Sequence, residues 1–191
     1  MKTILIFFFS LLLSTSCIYN KGKDKELERV FTKNDIENIN RFVGQFDLRI
    51  KDKFEAPDIQ NSYLMFFNNL KQVKTVSELE ERISFLAPVK KFIYTDMERK
   101  TANKIWILSP VINSDQITNI GKINLKGDFI KFLERVSTEN KSLKEYYDSI
   151  RIAGDISPSS ISFLIDNQSD LNVRDEQIRF VIAVHYMSLF K

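Results

Sequence analysis

Reactive and chain-bending residues are scarce in this chain of 191 residues, which has one cysteine, one histidine, five glycines and four prolines. A single cysteine excludes an internal disulfide framework. With only one histidine beside it, one chain cannot assemble a zinc site of the usual nitrogen and sulfur kind. So few glycines and prolines argue against the many tight turns of an all-β fold. They leave no phosphate cradle either, because Gly121 and Gly127 stand alone, without G-x-x-x-x-G-K or G-x-G-x-x-G spacing. Neither sign of charge dominates, with 28 Lys and Arg against 25 Asp and Glu. No long block of like charges occurs, which argues against the concentrated basic face of a nucleic-acid binder.

What is present begins at the N-terminus. Lys2 precedes the apolar run from Ile4 to Leu13, and the small residues Ser14-Thr15-Ser16 lead directly to Cys17. The run is about half of the roughly 20 residues that a membrane-spanning helix needs. A basic start, a short apolar middle and a small-residue exit are the parts of a secretory signal, so residues 1–16 stand outside the fold. The stretch after Cys17 contains Lys21, Gly22, Lys23, Asp24, Lys25 and Glu26 without a core pattern, as a solvated tether would. The expected organisation is a cleaved signal at 1–16, Cys17 and a flexible tether at 17–30, and one globular domain at 31–191, a size that suits a single core.

Leu13-Ser14-Thr15-Ser16-Cys17 resembles the lipobox of bacterial lipoprotein precursors, with Ser14 standing where Leu, Val or Ile is usual. In that class the cysteine thiol receives a diacylglycerol and signal peptidase II cuts just before it. The resemblance implies that Cys17 is lipidated, and acyl chains contribute about 0.8 kcal/mol per buried methylene to holding a protein on a membrane. Ile18 follows the cysteine in place of the aspartate that marks inner-membrane retention in Gram-negative lipoproteins, which favours the outer membrane. The first charges, Lys21 and Lys23, differ from the acidic runs of some surface-exposed lipoproteins and favour the periplasmic face. The alternative is an ordinary secretory signal cut nearby, with Cys17 left as a free thiol.

Periodicity predicts an all-α, bundle-like domain. Tyr63, Phe66, Phe67 and Leu70 repeat the i, i+3, i+4, i+7 spacing of one helical face, as do Phe129, Phe132, Leu133 and Val136, and Leu143, Tyr146, Tyr147 and Ile150. Looser stripes run through Ile36, Ile39, Val43 and Phe46, and through Leu79, Ile83 and Leu86. Thr32 is placed to cap the first helix with Phe31 and Ile36 as a hydrophobic staple, and Ser77 with Glu80 has capping-box spacing. Gly154 suits a left-handed helix end, and Ser157-Pro158 a new start. Residues 128 to 190 thus read as four helices with short links. The last, roughly 173 to 190, is capped by Asn172 or Asp170 and apolar nearly all round beyond Arg179, as a central helix is. Between them, Ile105-Trp106-Ile107-Leu108 reads as helix or irregular structure, and Ile123-Asn124-Leu125 is open between strand and helix.

Candidate chemistry is thin. His185 is the only histidine and sits within the apolar last helix, so its spacing predicts a core residue. As a general base beside a serine it lacks a G-x-S-x-G elbow. His185, its neighbour Tyr186, and Trp106 are the residues to test as a functional site, and Tyr94, Trp106, Tyr146 and Tyr147 are candidates for a groove rim. From Asp166 the chain imitates a calcium loop but has Leu171 and Gln177 where glycine and glutamate are needed, which predicts a capped turn. Asp175 and Arg179 have i, i+4 spacing for a structural ion pair. The paired carboxylates Glu80-Glu81 and Asp175-Glu176 fall at predicted helix starts, where the helix dipole accounts for them. The expected function is a lipid-anchored, non-catalytic protein-binding module with an envelope protein as partner and no cofactor or metal. The alternatives are an immunity-type inhibitor of a toxin, or an envelope enzyme whose active residues converge from separated helices.

Overall fold

The computed structural model describes residues 25–108, 121–156 and 161–190. In chain order the elements are α1 (Lys25–Val30), α2 (Lys33–Phe54), α3 (Ile59–Leu70), α4 (Val76–Ile83), α5 (Ala87–Thr95), α6 (Arg99–Asn103), β1 (Trp106–Ile107), β2 (Lys122–Ile123), α7 (Asp128–Val136), α8 (Lys141–Ala153), α9 (Ile161–Asp166) and α10 (Glu176–Met187). The protein is mainly helical, as its periodicity predicts. β1 and β2 form one short antiparallel ladder with Trp106 opposite Ile123 and Ile107 opposite Lys122. That strand corrects the helical or irregular reading of residues 105–108: Trp106 is buried while Ile107 is exposed, the alternation of a strand edge.

Helix α10 is central because every residue from Phe180 to Leu189 is buried. Its neighbours supply a nearly continuous aromatic sleeve. Phe180 meets Phe42 of α2 and Phe129 and Phe132 of α7, while Tyr186 meets Phe66 of α3 edge-on at 4.8 Å. Full burial of an apolar side chain of this size contributes about 1.5–3 kcal/mol. The helix starts later than its sequence pattern predicts, because Asp175, and not Asn172 or Asp170, is the cap: its carboxylate accepts from the backbone of Gln177. The stripes on α3 and α8 are wholly buried, and on α7 only Val136 is partly exposed.

Local capping explains most helix boundaries. Thr32 caps α2 through a reciprocal box with Asp35. Gly154 ends α8 in the left-handed conformation at φ 77°. The expected start at Ser157-Pro158 lies outside the described residues. At α4 the cap is Thr75 instead of Ser77; the backbone of Glu78 donates to Thr75 and the Glu78 carboxylate accepts from Lys74. Both Thr75-x-x-Glu78 and Ser77-x-x-Glu80 have the box spacing, and the earlier one keeps Leu79 and Ile83 inside. Residues 25–30 are helical, which corrects the expected tether. Leu27 and Phe31, at i and i+4, are both buried, and α1 docks on α7.

Asp35 ties three of these elements together. It is 1 % exposed and accepts from the backbone and hydroxyl of Thr32 and from the Thr101 hydroxyl of α6 at 2.7 Å. Lys104 reaches it at 2.6 Å and also contacts Asp128, the first residue of α7. Burial opposes ionisation, but the bonds from Lys104, Thr32 and Thr101 outweigh it and hold this carboxyl well below the usual carboxylate range.

Two glycines serve opposite purposes. A Cβ at Gly127 would meet the Lys104 carbonyl oxygen at 2.2 Å, at the point where Phe129 donates to that same oxygen. Gly44 lies inside α2, where a Cβ would meet no atom within 4 Å, so neither packing nor backbone shape calls for glycine there. Gly127→Ala is expected to lower stability by about 1–3 kcal/mol. Gly44→Ala should raise it by about 0.5–1 kcal/mol. Urea unfolding of the two variants beside the wild type measures both signs.

Candidate functional site

The residues that the sequence marks for chemistry converge, but in the core. His185 is fully buried on α10, and its Nδ1 lies 2.9 Å from the Tyr146 hydroxyl of α8. Tyr146 stacks on Phe163 of α9, and the His185 ring meets Tyr186 edge-on. Trp106 is also fully buried; its indole N–H donates to Ser188 Oγ at 2.9 Å, and that hydroxyl donates back to the Val184 carbonyl at 2.7 Å. Burial alone pushes the His185 imidazole down to about 3 and the Tyr186 phenol far above its ordinary range. His185 Nε2 and the Tyr186 hydroxyl have no protein partner. The imidazole is thus bonded to a phenol and packed among aromatic rings.

The expected aromatic rim is likewise part of the interior. Tyr146 and Tyr147 are buried with Trp106, and only Tyr94 is partly exposed. The acidic stretch after α9 is a turn: Ser142 donates to Asp170 at 2.7 Å, and Asn172 accepts from the backbone of Arg174. Among the described residues no group of three His, Cys, Asp or Glu side chains is placed to hold a metal ion. Nor is any described helix long and apolar enough to cross a membrane. Cys17 lies outside the described residues.

A second polar cluster replaces the expected Asp175–Arg179 pair. Asp175 is taken by its cap, and Arg179 reaches Asp47 of α2 at 2.9 Å while also donating to the carbonyls of Val173 and Arg174. Tyr63 of α3 donates to the other Asp47 oxygen at 2.7 Å. Burial pushes the Asp47 carboxyl up, against the Tyr63 bond and the Arg179 charge, which favour the ionised form. The cluster fastens α10 to the α2–α3 hairpin.

Three openings among the described residues lie at the surface, and none is lined by His185, Asp35 or Asp47. One of about 240 Å³ lies among α3, α4 and α9, beside Val73, Lys74 and Ile165. Another of about 470 Å³ lies between α1 and the start of α10, bordered by Glu26, Arg135 and Glu139. The largest of the three, about 560 Å³, is an open groove between α2 and α5 floored by Gly44. None of the three is lined by His185, Tyr186 or Trp106. The sequence did carry one signal for the last groove, a glycine inside a helical pattern.

Compared with family models, with curated proteins and with solved structures, the chain gives no match in any of the three.

Because His185 has a folded value near 3 and an unfolded one near 6.5, the unfolded chain takes up its proton first as pH falls. The His185 contribution to stability therefore drops below about pH 6.5, by about 2 kcal/mol at pH 5, and goes on dropping toward the folded value, with the raised Asp47 carboxyl acting in the opposite direction. Asp35 acts only below the ordinary carboxylate range, outside this window. Urea unfolding at pH 7 and pH 5 should show the loss, and His185→Phe should abolish this component. An equal slope in the variant would contradict the burial argument.

Proposed function

We propose that this chain is a membrane-anchored bacterial envelope lipoprotein that acts as a non-catalytic protein-binding module. The lipobox-like sequence ending at Cys17 supports the anchor. At no more than about 3.5 Å per residue, the link from Cys17 to α1 would keep the helical domain within about 30 Å of the lipid.

One observation carries the binding role: the acid–base side chains His185, Asp35 and Asp47 are engaged in structural bonds. His185 bonds Tyr146, Asp35 joins α2 to α6, and Asp47 joins α2 to α3 and α10. The surface openings, in contrast, are bordered by Lys, Arg, Thr and Glu side chains, the polar composition of an interface rim. The Gram-negative outer membrane, with the domain on its periplasmic face, is the location that Ile18, Lys21 and Lys23 favour.

Metabolic labelling with a palmitate analogue tests the anchor: wild type should incorporate the label and Cys17→Ser should not. Affinity capture of the lipidated chain from its native envelope in mild detergent should then recover one specific protein. An unlabelled wild type would remove the anchor, and recovery of no specific partner would contradict the binding module.

A further inference from the structure

The groove between α2 and α5 is built from two helical stripes. On α2 the lining positions are Arg41, Gly44 and Gln45, at i, i+3 and i+4; on α5 they are Pro88, Lys91, Phe92 and Thr95, at i, i+3, i+4 and i+7. Such a stripe on a supporting helix normally carries side chains that close the gap to its neighbour. Here the middle position is glycine, and the space its Cβ would occupy is empty. Glycine weakens a helix interior, and at this position it fills no structural need. What it provides is an exposed strip of α2 backbone at the floor of a groove of about 560 Å³.

The walls are cationic. Arg41 lies over the Phe92 ring at 5.3 Å, which orients the guanidinium along the groove edge. Lys91 stands exposed on the opposite wall. Neither takes a carboxylate partner among the described residues, although nine ion pairs occur elsewhere. The one carboxylate at this site, Asp96, accepts from the adjacent Thr95 hydroxyl. Two cations on facing helices, one pre-oriented by an aromatic ring, with close access to backbone between them, match a chain that brings its own carboxylates.

We infer that the α2–α5 groove is the docking site for an acidic segment of a partner protein, laid over Gly44 with its carboxylates on Arg41 and Lys91. This rests on the binding-module reading and gives it a surface and a partner chemistry. Arg41 is the specificity element, since its planar fork can hold a carboxylate by two bonds where a lysine supplies a point charge.

The test is photo-crosslinking in the native envelope with the full chain. Benzoylphenylalanine is placed at Thr95 in the groove and, as separate controls, at the exposed Leu64 of α3 and Ile152 of α8. The expected result is a protein adduct from position 95 whose crosslinked peptide, sequenced by mass spectrometry, is rich in Asp and Glu. Arg41→Gln combined with Lys91→Gln should reduce its yield about tenfold, as should Gly44→Gln, which fills the floor without lowering the unfolding temperature. Adducts from Leu64 or Ile152 alone would overturn the groove assignment while leaving a binding module intact. No protein adduct at any position would overturn both readings. A lipid adduct at position 95, a crosslinked peptide without acidic residues, or an undiminished yield in the filled or neutralised groove would overturn the proposal.

Discussion

The core of the described residues is arranged around a helix that, beyond Arg179, has no polar side to give to solvent. From Phe180 to Met187, α10 is buried in every direction, so it must be covered all round. α2 and α7 close on Phe180, α3 closes on Tyr186, α8 closes on His185, and β1 delivers Trp106 to Ser188. The two polar clusters then hold the cover in register. Asp35 fixes the start of α2 to α6 and to Lys104 beside α7, and Asp47 fixes the middle of α2 to Tyr63 and Arg179. Buried carboxylates contribute little net stability over apolar replacements, but leaving one unpaired is expensive, so each selects a single arrangement of its elements.

That requirement also determines what the chemistry-bearing residues can do. Placing a histidine and a phenol on α10 and a second phenol in the sleeve around it makes them part of the packing, with the Tyr146–His185 bond as the polar element that fits the ring into place. On the proposed binding role, recognition belongs to the outer faces of the covering helices. α2 is the clearest case, with Phe42, Val43 and Phe46 turned inward and Arg41, Gly44 and Gln45 at the groove.

Helices were legible in the sequence wherever an apolar stripe coincided with a start or stop residue. The face of α3, the four helices from Asp128 onward, Thr32 as a cap and Gly154 as a stop all have a local cause. The departures come from competition between similar local signals or from contacts distant in sequence. Thr75 and Ser77 offer the same box two residues apart. Leu27 becomes core only because α7, about 100 residues later, presents a surface to it. Trp106 is a strand residue because Ile123 lies opposite, which a short apolar run cannot reveal. Arg179 turns from its nearby i, i+4 partner to Asp47 because Asp175 is already committed to the helix cap. At the level of the site, composition pointed to His185, Tyr186 and Trp106, whereas the α2–α5 groove depends on two helices that are separated in the chain.

The packed interior on which this account rests is tested most directly by the accessibility of the single histidine. Diethyl pyrocarbonate is applied to the full native chain, and the peptide containing His185 is read by mass spectrometry beside a sample treated in denaturant. With His185 sealed between Tyr146 and Tyr186, the native protein should show no imidazole adduct while the denatured protein is modified completely. Ready modification of His185 in the native state would mean that the interior opens to solvent, and it would contradict the assignment of that histidine to the core.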